Sequence, residues 1–116
     1  MKKFKIKIDV DSTIEEINQC VNRVLSLKTK SYELSIIKKL LFAINVEELK
    51  SKGGSAIRFY HKALEEHPYY THGIFSVHKI HKGGSKDEIR KSDFEKYLLP
   101  PIRIIIEHIV KEKKDS

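Results

Sequence analysis

The sequence predicts an α+β domain in which a small antiparallel sheet of about three strands packs with helices. Three observations predict it. Two later segments are rich in β-branched and aromatic residues, and near the start apolar residues alternate with a period of two. They recur every three or four positions in the blocks between, and Gly-Gly-Ser turns punctuate the chain at residues 53–55 and 83–85. A length of 116 residues is that of one domain with one core. We read 1–116 as that single domain, with 1–31 an N-terminal addition and 111–116 a frayed tail.

Phe4, Ile6, Ile8 and Val10 alternate with Lys3, Lys5, Lys7 and Asp9, the pattern of a half-buried strand with a lysine-lined wet face. Lysines there also keep an edge strand from pairing with other chains. Ser12 with Glu15, or Thr13 with Glu16, has capping-box spacing, and Ile14, Ile17, Val21, Val24 and Leu25 then define a helix from Thr13 to about Leu27. Leu34, Ile37, Leu40, Leu41 and Ile44 predict a second helix from Tyr32 to about Ala43, with a continuation to Lys50 carried by Val46 and Leu49.

The glycines of Lys52-Gly53-Gly54-Ser55 stop that helix. Ala56 to His61 and Gly73 to Ile80 are rich in β-branched and aromatic residues and read as two antiparallel strands, joined by an exposed connection from Lys62 to His72. Ser85 opens a capping box with Glu88, and Ser92-Asp93-Phe94-Glu95 offers a competing helix start one turn later. Pro100-Pro101 ends that helix, because the second proline disfavours helical geometry in the residue before it. Pro101 then opens the last helix, whose stripe is Ile102, Ile105, Ile106, Ile109 and Val110.

Lys and Arg number 23 against 16 Asp and Glu, a formal charge of +7 that attracts polyanions at long range. Nucleic acid is the leading partner by this criterion. Cys20 is the only cysteine, so no internal disulfide and no cysteine-based zinc site can form, and its place on an apolar helix face reads as a small packed hydrophobe. No run approaches the 18 apolar residues of a membrane span. The expectation is a cytoplasmic protein with no membrane partner.

Neither Lys52-Gly53-Gly54-Ser55 nor Lys82-Gly83-Gly84-Ser85 has phosphate-loop spacing, but both can offer backbone N–H groups and a flanking lysine to a phosphate. His78 and His81 end an apolar strand beside the second of these turns, and His61 ends the preceding strand. Imidazoles so placed could share acid and base roles in cleaving RNA: one deprotonates the 2′-hydroxyl, which attacks the adjacent phosphorus, and another protonates the departing 5′-oxygen. His61, His78 and His81 are therefore the candidate catalytic residues, with no cofactor and no metal required. A zinc site from His78, His81 and either His61 or His72 is a weaker reading, since positions three apart on a strand face opposite ways. Lys52, Ser55, Arg58, Tyr60, Lys79, Lys82, Ser85 and Lys86 are the candidate RNA-binding residues, through phosphate contacts and stacking on Tyr60 or on Tyr69 and Tyr70.

From Tyr32 to about Val110 the chain resembles the HicA-type ribonuclease toxins of bacterial toxin-antitoxin systems. Gly54-Ser55-Ala56-Ile57-Arg58-Phe59 and Ile74-Phe75-Ser76-Val77-His78-Lys79-Ile80-His81-Lys82-Gly83 carry the resemblance. It implies a double-stranded-RNA-binding-like α+β fold, metal-independent mRNA cleavage and neutralisation by a protein antitoxin. The family's catalytic histidine falls where this chain has Ala56, while its later histidines correspond to His78 and His81. The first thirty residues are additional to the family domain and could complete the sheet, cover a hydrophobic face or form a homo-oligomeric contact. A non-catalytic protein-interaction or regulatory module is the alternative of a different class.

Overall fold

The computed structural model describes residues 13–50, 54–80 and 87–115. The strand expected over Phe4 to Val10 lies outside them, as do Lys52, His81, Lys82, Ser85 and Lys86. The fold is α+β, with two small antiparallel sheets packed against several helices. Strands β2 (Glu47–Glu48), β3 (Ala56–Tyr60) and β4 (Ile74–His78) form one sheet in the order β2-β3-β4; β1 (Ser31–Glu33) and β5 (Glu88–Arg90) form the other. An antiparallel bridge between Ile80 and Glu88 links the end of β4 to β5.

Helix α1 (Ile14–Ser26) begins with the capping box expected of Thr13 and Glu16: the Glu16 N–H donates to Thr13 Oγ1 at 3.1 Å, and the Thr13 N–H donates to Glu16 Oε1 at 2.9 Å. Its apolar stripe, Ile17, Cys20, Val21 and Val24, is buried in the same core as the rest of the molecule. Residues 13–26 are thus part of the core and not an appendage to it. At its other end, the Lys91 ammonium donates to the Leu25 and Leu27 carbonyls at 2.9 and 2.8 Å. A cation at the negative end of the helix dipole is favourable in itself.

Helix α2 (Leu34–Ala43) does not continue to Lys50 as expected. Asn45 takes a left-handed conformation at φ 64, its N–H donates to the Phe42 carbonyl, and the Val46 N–H donates to that of Leu41, both at 3.1 Å. This pair of bonds closes a helix C-terminus with Asn in the position glycine usually holds. The chain is thereby turned into β2.

The expected helix from Ser85 is also corrected, because residues 88–90 form β5 and pair with β1 in the register Tyr32↔Ile89. Helical geometry starts at α3 (Lys91–Asp93), passes through a π-helical turn at Phe94–Leu98 and runs on as α4 (Leu99–Asp115). Pro100 and Pro101 therefore lie inside a continuous helical path instead of ending one. Neither proline has an N–H to bond the turn before it, and the Leu99 N–H just ahead of them bonds five residues back to Phe94 in the wider π turn that precedes them. Fully buried Phe94, Leu98, Ile102 and Ile105 hold the two segments in line, so packing overrides the local preference.

The Tyr32 ring meets Phe94 edge-on at 5.4 Å between centroids, and its hydroxyl is buried with no hydrogen-bond partner among the described residues. Burial, then the nearby Glu95 carboxylate, pushes the phenol up to about 12. No helix among the described residues is long and apolar enough to cross a membrane.

Candidate functional site

The β3–β4 hairpin positions the candidate residues by alternation. Ile57, Phe59, Phe75 and Val77 are buried, with Phe59 and Phe75 5.5 Å apart between centroids. Ala56, Arg58, Tyr60, Ser76 and His78 occupy the other face and are partly or fully exposed. The register Ala56↔His78, Arg58↔Ser76, Tyr60↔Ile74 and Glu47↔Tyr60 lines up His78, Arg58, Ser76, Tyr60 and Glu47 along that face, with Ala56 and Ile74 between them. Groups at its two ends differ in kind.

At one end, Ser55 Oγ lies 3.1 Å from His78 Nδ1, while the Ser55 carbonyl accepts from the Lys79 N–H at 2.9 Å. Arg58 is one same-face step along, roughly 7 Å at the rise of a strand. Its Nη2 donates to the Lys50 carbonyl at 3.2 Å, which ties the guanidinium across the sheet and leaves other N–H donors of its fork for a ligand. Gly54, at φ 80, makes the turn into this end, and among the described residues no atom lies within 4 Å of where its Cβ would be.

At the other end, the Tyr60 hydroxyl donates to Glu65 Oε1. That hydrogen bond, with the Glu65 and Glu47 charges adding to it, holds the phenol above its ordinary range. Tyr60 therefore shares the wet face with Arg58 but sits among carboxylates. His61 follows it and is only 8% exposed. Its Nδ1 accepts from the Ala63 N–H at 2.9 Å, and the ring also hydrogen-bonds the Ile44 backbone. Burial pulls the imidazole below its usual value, outweighing that backbone bond, and the neighbouring His108 lowers it further. His108 itself pairs with Glu112 at 3.0 Å on α4.

The structure thus brings together Ser55, Arg58 and His78, and it does not bring His61 to them. Since Ala56 pairs with His78, His61 lies five residues away along the hairpin, about 17 Å at strand rise. The expected meeting of His61 with His78 in an antiparallel arrangement is corrected on that ground: His61 is buried where β3 ends, beside Ile44 at the end of α2 and near His108 of α4. No group of three His, Cys, Asp or Glu among the described residues could hold a metal ion.

Lys79 is placed differently from its strand neighbour His78. Its ammonium pairs with Asp87 Oδ2 at 2.9 Å, and Asp87 is 6% exposed, so this cation is largely committed to closing the segment between β4 and β5. Asp87 and Lys91 take structural roles that no local pattern marks: Asp87 meets Lys79 eight positions earlier, and Lys91 acts over 64 to 66 positions of sequence. Burial raises the Cys20 thiol above its ordinary value, in keeping with a packed side chain.

No protein-family model, no curated protein and no solved structure matches the chain.

Proposed function

We propose that this protein binds RNA, taking backbone phosphates at the Ser55–His78 end of the exposed sheet face. The observation that carries the reading is the 3.1 Å approach of Ser55 Oγ to His78 Nδ1 beside Arg58 on one solvent-facing surface. A hydroxyl, an imidazole and a guanidinium fork can each donate to phosphate oxygens, and a charge-assisted pair with Arg is the strongest of these contacts. The net charge of +7 supplies long-range attraction of the same sign. The order of α2, the β2-β3-β4 meander and α4 is compatible with a double-stranded-RNA-binding-like arrangement, which would engage a duplex chiefly through shape and phosphate contacts.

Cleavage is a narrower reading of the same site. Transfer through a 2′-hydroxyl needs both a base and an acid, and His78 is the one imidazole that the described residues bring to this end. The test is fluorescence anisotropy with labelled single-stranded and duplex RNA over a salt series, in excess chelator, comparing wild type with Arg58→Glu and His78→Ala. Binding that weakens steeply with salt, and by about tenfold or more in Arg58→Glu, supports the proposal. Salt-independent association, or none, would favour the protein-interaction alternative. New 2′,3′-cyclic phosphate ends, lost in a folded His78→Ala variant, would extend the reading to a ribonuclease.

A further inference from the structure

The far pole of the hairpin carries a surface of opposite character, independent of the RNA reading. Tyr69 is 86% exposed, and one face of its ring stacks on His67 at 5.7 Å between centroids and 27° between planes. The same imidazole lies 5.3 Å from the Tyr70 ring, which in turn meets Phe75 edge-on at 6.5 Å. An aromatic stack therefore runs from the core to solvent and leaves one tyrosine face uncovered.

The loop holding this stack is organised in advance of any partner. Successive turns are closed by His67 N–H to the Leu64 carbonyl and Tyr70 N–H to that of His67, both at 3.1 Å, and by Gly73 N–H to that of Tyr70 at 3.3 Å. Leu64 is fully buried beneath it. His72 is held at φ 57, a conformation side chains other than glycine seldom adopt and one that persists only where surrounding contacts enforce it. Little ordering cost would remain on binding.

Charge decides the partner. Glu65 and Glu66 adjoin the stack in the loop, Glu47 and Glu65 both act on the Tyr60 hydroxyl, and Lys62 is the nearby cation of the same loop. Glu48 is set apart by its pairing with Lys38 at 2.9 Å. In a chain of net charge +7, the loop that carries the open Tyr69 face also carries Glu65 and Glu66, both exposed, with Glu65 bonded to the Tyr60 hydroxyl. An RNA phosphate would be repelled there, whereas a guanidinium or ammonium gains from both the ring quadrupole and the carboxylates. We infer that the loop between β3 and β4 is a docking surface for a Lys/Arg-rich segment of a protein partner, with the outer face of Tyr69 receiving the cation.

A fluorescein-labelled nona-arginine peptide titrated with the full chain tests this by anisotropy at about physiological salt. Saturable binding is expected, weakened about fivefold by Tyr69→Ala and unchanged by Tyr69→Phe, which keeps the ring. Glu66→Lys should weaken it by a similar factor. Absence of saturable binding overturns the inference, and so does equal affinity in wild type and Tyr69→Ala. A Tyr69→Ala variant that loses affinity for an RNA oligomer but not for the peptide would also overturn it, making the ring a base-stacking platform.

Discussion

The two ends of the β3–β4 hairpin are built from similar residue types and do opposite things. Each has a glycine at positive φ and a histidine that hydrogen-bonds through Nδ1. At the Ser55 end, nothing among the described residues crowds Gly54, and His78 is exposed with a side-chain hydroxyl as its partner. At the other end, a Cβ on Gly73 would come within 2.8 Å of the His61 carbonyl oxygen, and His61 is buried with backbone partners. Enclosure, and not residue identity, separates a group available to a ligand from one consumed by the fold.

The sharpest way to break this comparison is to add the same methyl group at both glycines. Gly73→Ala should cost about 3 kcal/mol, because left-handed strain is joined by a clash with backbone that cannot swing aside. Gly54→Ala carries the conformational strain alone, about 1 kcal/mol. Urea denaturation of both variants measures the contrast; equal losses would refute it.

Next in size is the pair of histidine truncations. His61→Ala leaves the Ala63 N–H and the Ile44 backbone group without their partner and should destabilise by about 2 kcal/mol. His78→Ala removes an exposed contact and should change stability by less than about 0.5 kcal/mol in the same denaturation assay.

Acidity offers a gentler probe. Because burial depresses the His61 imidazole in the folded state, the unfolded chain binds the extra proton more readily. The stability His61 contributes is complete above its unfolded value of 6.5 and declines as pH falls below it toward the depressed folded value. Denaturation midpoints from pH 8 to 5 should therefore drop in wild type, and more weakly in His61→Ala. Parallel curves would show that another group titrates. The smallest expected effect is Glu48→Gln, which breaks an exposed pair with Lys38 and should cost about 0.5 kcal/mol or less by the same measurement.

Much of this contrast could be read before any coordinates. In Ala56-Ile57-Arg58-Phe59-Tyr60-His61, strict alternation puts His61 on the side of Ile57 and Phe59, away from Arg58. The same parity separates His78 from Lys79, which turns to Asp87. Parity was thus the available signal against gathering the imidazoles. Helix α1, with its capping box and regular stripe, was equally legible. Strands β1, β2 and β5 were not, because two or three residues complete too little of an alternation to stand out from the helical pattern beside them. Asn45 was missed as a helix terminator since its side chain permits, but does not require, the left-handed turn. The acidic character of the Tyr60 corner depended on Glu47 arriving from β2, a pairing invisible until that strand was seen.

One wide turn has influence well beyond its own length. Each residue of an α-helix advances the side-chain direction by about 100°, so the five-residue π segment at Phe94–Leu98 offsets everything after it. It acts as a phase adjuster for the 17 residues of α4, letting Phe94 and Leu98 point the same way as Ile102 and Ile105 across two consecutive prolines. Which side of the last helix is buried in the core, and which side leaves Arg103 and Glu107 exposed, is decided before that helix begins.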